Sequence, residues 1–321
     1  MTVIVGILCS DGVVIGSDST MVAGRLTTGY TIERQEGDVL KIEVIGDDTI
    51  TAVTGAMGLG QRFNDQVTLT MRELRQPYQS PQHYVPGYGP INCTTLQRIL
   101  QQLGTVPQNA VPYDVLNPEE LGRVISQVTI GDFQRTQSAW QLQPNVGWGL
   151  GALFAFVHGD EPHLIDFHPT QFHPELHGKP DPLRGDQVRN YRCVSRGAGQ
   201  KLADPFLAHA YDLLFGEKPP TVRKAKLVVA WTIQHVSDYN VGLVGGNLQI
   251  AILEKIGGIW SAHHADPGEV GQEVASLEKH ISNYVGQQEP DTVADASPVD
   301  IHEELKPAKF PETPDKDTVH S

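Results

Sequence analysis

Hydrophobic and β-branched residues open the chain in short runs that are typical of strands. Thr2–Leu8 and Gly12–Ser17 flank a Ser-Asp-Gly sequence, which is typical of a tight hairpin turn. Residues 39–45 (VLKIEVI) and 49–54 (TITAVT) are separated by Gly-Asp-Asp and predict a second hairpin in the same way. The chain therefore begins with two antiparallel strand pairs.

The pattern then changes to a helical period. Apolar residues recur at three- and four-residue spacing through 58–76, which predicts an amphipathic helix. Further helices are predicted over 94–104, 117–127, 200–215, 220–237 and 269–285, and further strands over 149–157, 162–167, 191–195, 247–254 and 257–261. Because strands and helices come in blocks, the order favours a layered α+β architecture over an alternating βαβ fold.

Composition limits the candidate binding partners and the expected cellular compartment. The chain has 321 residues and a net charge of −14, with its basic residues scattered, so nucleic acid and anionic membranes are poor candidate partners. No apolar run is long enough to span a membrane and no secretory signal opens the sequence, which predicts a cytoplasmic protein. Its three cysteines, Cys9, Cys93 and Cys193, fit reduced thiols better than disulfides.

Acidic residues and prolines dominate the end of the chain. Residues 286–321 hold nine Asp or Glu against three Lys and few large apolar residues, which predicts a disordered tail after a domain at 2–285. The tail is either a solvated extension or a docking segment.

The first strand carries candidate chemistry at its start. Removal of Met1 would give Thr2 both a hydroxyl nucleophile and a free amine that can act as its base. Lys41 lies in an otherwise apolar strand, and a buried ammonium needs a carboxylate such as Asp18, which ends the first hairpin. A structural ion pair would satisfy that need equally well.

Other kinds of site have weaker support. Four histidines in fifteen residues, His163, His168, His173 and His177, lack regular spacing and any cysteine partner, so we predict exposed polar groups and no metal site. The glycine-rich stretch at 58–61 lacks the lysine of a phosphate loop, and no G-x-S-x-G elbow is present. We therefore expect no cofactor.

Four motifs together resemble the β subunits of proteasomes. They are the strand from Thr2, the G-S-D-S sequence at Gly16–Ser19, the strand VLKIEVI, and T-G-A-M-G at 54–58. The resemblance covers most of residues 2–265 and is most specific in the first sixty. It implies a four-layer αββα sandwich of two antiparallel sheets flanked by helices, the fold of N-terminal nucleophile (Ntn) hydrolases.

Catalytic roles follow from this resemblance, residue by residue. Thr2 would be the nucleophile and its amine the general base, activated by Asp18 and Lys41. The backbone N–H of Gly55 would stabilise the oxyanion. Asp238 would support the site. Arg34 is the nearest basic alternative to Lys41 because the connection before this strand is unusually long.

The substrate pocket and the departures from the family also concern single residues. The resemblance assigns Val53 and Met57 to an apolar pocket for the residue before the scissile bond, although both side chains could equally belong to the core. Ala198 stands where the family commonly has a serine, and extra residues separate Asp238 from the Gly-Gly pair at 245–246. Activity could therefore be weak or dependent on assembly.

The predicted function is that of a threonine peptidase, which cleaves peptide bonds through an acyl-ester on Thr2. Its expected partners are a peptide or unfolded protein substrate and further copies of the chain in a ring, with any unfoldase partner unknown. Two alternatives stay open. One is an Ntn amidohydrolase or ligase with a specialised substrate, and the other is a catalytically silent ring or scaffold subunit.

Overall fold

The structure is a computed structural model that describes residues 2–20, 39–79, 84–85, 89–90, 94–140, 149–178, 192–240 and 244–287. Its strands are β1 Val3–Leu8, β2 Gly12–Ser17, β3 Ile42–Ile45, β4 Thr49–Thr54, β5 Tyr84–Val85, β6 Gly89–Pro90, β7 Gly151–His158, β8 Glu161–Phe167, β9 Pro174–Leu176, β10 Cys193–Gly197, β11 Gln249–Ile256 and β12 Ile259–His264. Its helices are α1 Met57–Leu74, α2 Thr95–Leu103, α3 Pro112–Val115, α4 Pro118–Trp140, α5 Gln200–Phe215, α6 Val222–Tyr239 and α7 Pro267–Gln287.

The larger strands form two five-stranded antiparallel sheets. The first has the order β10-β1-β2-β11-β12 and the second the order β3-β4-β7-β8-β9, while β5 and β6 pair with each other. Within the first sheet, β1 pairs with β2 as the predicted hairpin, with Ile4 opposite Ser17. Strand β1 is therefore an internal strand with a neighbour on each side.

Three hydrophobic cores separate four layers within the unit Met1–Ser276. Val3, Val5 and Ile7 of β1 pack with residues of α5 and α6, whereas Ile4 and Leu8 pack in a core shared with the second sheet. A third core lies between the second sheet and helices α1, α2 and α4. Successive side chains of a strand point to opposite faces. Both faces of β1 are buried, and its sequence VIVGIL is accordingly apolar throughout.

These layers confirm the predicted fold class, an α+β sandwich of two antiparallel sheets with helices. The predicted boundary between the domain and its tail is a separate matter. A second compact unit, Leu277–Ser321, begins inside α7, and residues 288–321 lie outside the described residues. The disordered tail remains a prediction.

Two elements differ from their predicted bounds for identifiable reasons. Helix α4 continues well beyond the predicted 117–127, because Phe133 packs in the third core and Asp132 accepts a hydrogen bond of 2.9 Å from Arg62 of α1. Strand β9 falls among the scattered histidines and was not predicted. It begins with Pro174 at the edge of its sheet, a position where the missing N–H costs no pairing.

Among the helices in the described part of the chain, none has the length and apolar character that a membrane span requires.

Phe63 of α1 should contribute strongly to stability, because it is fully buried and makes edge-to-face contacts with Phe167 and Phe172. We expect Phe63→Ala to lower the free energy of unfolding by about 3–5 kcal/mol. Leu69→Ala on the same helix is the control, since Leu69 is half exposed and should cost well under this amount. Urea unfolding of both variants checks the prediction, and equal losses would contradict the described packing.

Candidate active site

Asp18 is brought back to the start of the chain by the first hairpin. It follows the last residue of β2, and its backbone N–H donates to the carbonyl of Val3 at 3.4 Å. Its side-chain Oδ1 accepts the N–H of Val3 at 2.9 Å, and its Oδ2 accepts the N–H groups of Thr20 and Gly245, each at 3.3 Å. The carboxylate is thus fixed directly beside Thr2 by three backbone donors.

Lys41 completes a buried ion pair with this carboxylate. Its Nζ donates to Oδ1 of Asp18 at 2.9 Å and to the carbonyl of Thr20 at 2.7 Å. The side chains of Lys41 and Asp18 are only 7% and 2% exposed. Burial lowers the pKa of Lys41, and the charge of Asp18 opposes part of this shift. Among the described residues, the structure shows no protein acceptor for the third N–H of the ammonium.

The segment that carries Lys41 differs from its prediction. Of the predicted strand 39–45, only Ile42–Ile45 forms β3, so Lys41 stands just before the strand. A side chain from the other sheet holds this segment in place. Gln249 donates from Nε2 to the carbonyl of Val39 at 2.6 Å and accepts the N–H of Lys41 at 2.9 Å. The carboxamide of Gln249 thus makes two hydrogen bonds to the backbone of this segment, as a paired strand would. Arg34, the alternative to Lys41, lies outside the described residues.

A cavity of about 820 Å³ opens at the start of β1. Five of the predicted site residues line it, namely Thr2, Lys41, Val53, Gly55 and Met57. Asp18 is not part of the lining and holds Lys41 from behind. The structure thus brings the predicted nucleophile, lysine, oxyanion donor and pocket residues to one place.

Two glycines allow the backbone to close tightly around this cavity. Gly55 has a φ of 113°, and a Cβ there would lie 1.9 Å from the carbonyl oxygen of Gly149. Gly197 has a φ of 107°, and its Cβ would lie 2.1 Å from the carbonyl oxygen of Thr2. Any side chain at either position would force the backbone apart.

Asp238 is the predicted site residue that the structure does not bring to the cavity. It lies near the end of α6 with an exposed side chain and does not line the cavity. Among the described residues, no hydrogen bond or ion pair joins it to Thr2, Asp18 or Lys41. The supporting role implied by the resemblance therefore has no counterpart in this geometry.

Polar support comes from the two serines on either side of Asp18. Ser17 Oγ donates to the carbonyl of Asp18 at 2.8 Å, and Ser19 Oγ accepts the N–H of Asn247 at 2.6 Å. Both serines belong to the G-S-D-S motif, for which the sequence alone predicted no role beyond the hairpin and the resemblance. Their position on either side of the aspartate expected to pair with Lys41 is the sequence feature that indicates this supporting role.

The cavity wall is also less apolar than the sequence predicted. Gln61 and Asn64 of α1 line it together with Val53 and Met57. Asn64 belongs to the buried face of α1, between Phe63 and Val67, where the helical pattern is otherwise mostly apolar. A lone carboxamide on that face was the indication that sequence reasoning missed.

Two of the cysteines are poor candidates for an alternative nucleophile. Burial and the nearby charge of Asp11 raise the pKa of Cys9 far above its ordinary value. Burial, together with Asp204, raises the pKa of Cys193 to about 12. Neither thiol forms a useful fraction of thiolate near neutral pH. Cys93 lies outside the described residues.

The predicted histidine cluster is spread along β8 and β9. His163 lies within β8, and His168, His173 and His177 fall outside the strands. His177 lies 3.7 Å from Asp166, a buried carboxylate that binds Arg196 of β10. Among the described residues, no three His, Cys, Asp or Glu side chains are grouped as a metal site requires.

Comparisons by sequence and by structure give different results. No family model matches the sequence, and the search of curated proteins found no match. Among solved structures, the chain is similar to a Gly-1 mutant of Anbu from Hyphomicrobium sp. strain MC1, with 11% identity and a TM-score of 0.53. The match covers 89% of this chain and 97% of that one. The likeness shows that the two chains share a fold.

Removing either partner of the ion pair should lower the free energy of unfolding, but by different amounts. Asp18→Asn removes the countercharge of a buried ammonium and should lower the free energy of unfolding by about 3–5 kcal/mol. Lys41→Met leaves the carboxylate with three backbone donors, so we expect a smaller loss of about 1–3 kcal/mol. Urea unfolding measures both variants. A larger loss for Lys41→Met would contradict this account of the carboxylate.

Proposed function

We propose that the chain is an N-terminal threonine hydrolase of the proteasome β type, which cleaves peptide bonds after Met1 has been removed. One observation carries the proposal. Oδ1 of Asp18 binds both the N–H of Val3, directly after Thr2, and the ammonium of Lys41, beside a cavity that Thr2 lines. A catalytic threonine at a chain start needs such a fixed charge next to its hydroxyl.

The proposed reaction begins at Thr2. Its free amine takes the proton from its own hydroxyl, and the oxygen attacks the carbonyl carbon of the scissile bond. The positive charge of Lys41 favours the developing alkoxide, and the third N–H of its ammonium can donate to it. The N–H of Gly55 stabilises the oxyanion of the tetrahedral intermediate.

The second half of the reaction releases both products. The protonated amine of Thr2 gives its proton to the leaving nitrogen as the peptide bond breaks, which leaves an acyl-ester on the threonine oxygen. Water then attacks this ester while the amine accepts a proton from it. The hydroxyl of Thr2 is restored and the acid product leaves.

The substrate is a peptide or an unfolded protein, and the chain acts as part of a homo-oligomeric ring. Ala198 in the cavity wall and the exposed Asp238 leave this site with less polar support than the family pattern implies. These two features favour a low rate and keep a second function in view, that of a silent ring subunit. The complete set of Thr2, Asp18 and Lys41 supports the hydrolase, because a silent subunit does not need all three.

Substitutions of Thr2 test the hydrolase directly. We expect Thr2→Ala to lower kcat/KM for fluorogenic peptides by about 10³-fold or more, because the nucleophile is gone, and Thr2→Ser to keep measurable activity. Thr221→Ala is the matched control, since Thr221 is exposed and its side chain does not cap α6. Initial rates over a panel of peptides measure the effect.

Full activity of Thr2→Ala would rule out this nucleophile. No hydrolysis by the wild-type ring, with Met1 removed, would favour the silent subunit over the peptidase.

A further inference from the structure

Asn64 presents an unused carboxamide in the wall of the cavity. The residue is 8% exposed, and its Oδ1 is shielded from solvent without a hydrogen-bond partner. Among the described residues, the other end of the amide has no partner either, because the structure shows no side-chain hydrogen bond for Asn64. Its backbone carbonyl, by contrast, accepts the hydroxyl of Thr68 at 2.9 Å as part of the helix surface.

An unpaired buried amide lowers the stability of the fold unless another group binds it. A buried acceptor without a partner costs about 1–3 kcal/mol, and native proteins seldom leave one without a reason. Asn64 is one of the residues that line the cavity, and rotation about χ2 exchanges the two ends of its amide.

We propose that Asn64 determines specificity, and that the cavity selects substrates with glutamine or asparagine before the scissile bond. This inference rests on the proposed function, because it concerns the same cavity. A substrate carboxamide carries both a donor and an acceptor, so it pairs with the amide of Asn64 in either of its two orientations about χ2. An apolar side chain leaves Asn64 unpaired.

Charged side chains fit this wall less well. Lysine and arginine have donors but no acceptor, and Lys41 already places a positive charge in the same cavity. A carboxylate can accept a hydrogen bond from Nδ2 but has no donor for Oδ1, so it pairs with only one end of the amide. Gln61, one turn before Asn64 in the wall, adds a second neutral carboxamide and no charge. The chemistry of the wall therefore matches a neutral amide.

Peptides that differ at one residue test the inference. Two fluorogenic peptides are compared that are identical except for Gln or Met before the scissile bond, since these side chains have similar length. The wild-type ring should favour Gln by about tenfold in kcat/KM, as expected for the net gain of one hydrogen bond. Asn64→Leu, which keeps the size of the side chain, should lose this preference.

Gln66→Leu is the matched control, because Gln66 lies on the same helix but not in the cavity wall. It should keep the wild-type preference for Gln. Equal kcat/KM for the two peptides in the wild type, or an unchanged preference in Asn64→Leu, would overturn the inference while leaving the hydrolase intact.

A binding measurement tests the proposed specificity independently of the proposed hydrolase activity. Calorimetry with acetylated tetrapeptides that end in Gln or Met measures recognition in Thr2→Ala, where no turnover can occur. A preference for the Gln peptide that Asn64→Leu abolishes supports the inference even if the wild type hydrolyses nothing, in which case only the proposed function fails. Equal affinities for the two peptides would overturn it.

Discussion

The hydrogen bonds of one carboxylate oxygen hold the candidate site together. Oδ1 of Asp18 binds the N–H of Val3 and the ammonium of Lys41, each at 2.9 Å. A buried ammonium is unstable without a countercharge, and a buried carboxylate is unstable without donors. Because each group satisfies the other, the start of β1 and the segment before β3 meet at a fixed separation. The cavity lies where these two segments come together.

The layered fold explains why this arrangement is rigid. Strand β1 is paired on both sides and buried on both faces, so the residue that precedes it cannot move far from its neighbours. Gly197 lets β10 approach the carbonyl of Thr2, and Gln249 holds the segment that carries Lys41. Each contact joins parts of the chain that are distant in sequence. The reactive groups of the proposed mechanism therefore stand on packed elements, which suits preorganised chemistry.

Local patterns made much of this predictable. The hairpin turns and the helical period of α1 pointed to a layered α+β fold, and the cost of burying Lys41 pointed to the ion pair with Asp18. The sandwich itself was implied by the family resemblance. The contacts of Gln249 could not be predicted, because a side chain more than two hundred residues away replaces a strand. Asp238 does not line the cavity, and the reason is different. Its assignment rested on a family motif whose spacing is altered in this chain. The place of Asn64 in the cavity wall could not be predicted, because the apolar spacing along its helix face indicates core packing.

The most direct test of the hydrolase is the intact mass of the purified protein before and after incubation with a peptide epoxyketone. This reagent needs both the amine and the hydroxyl of a threonine at the chain start. The account predicts a mass without Met1, followed by an increase equal to one reagent molecule per chain. A protein that retains Met1, or that loses it and forms no adduct, would contradict Thr2 as a competent nucleophile.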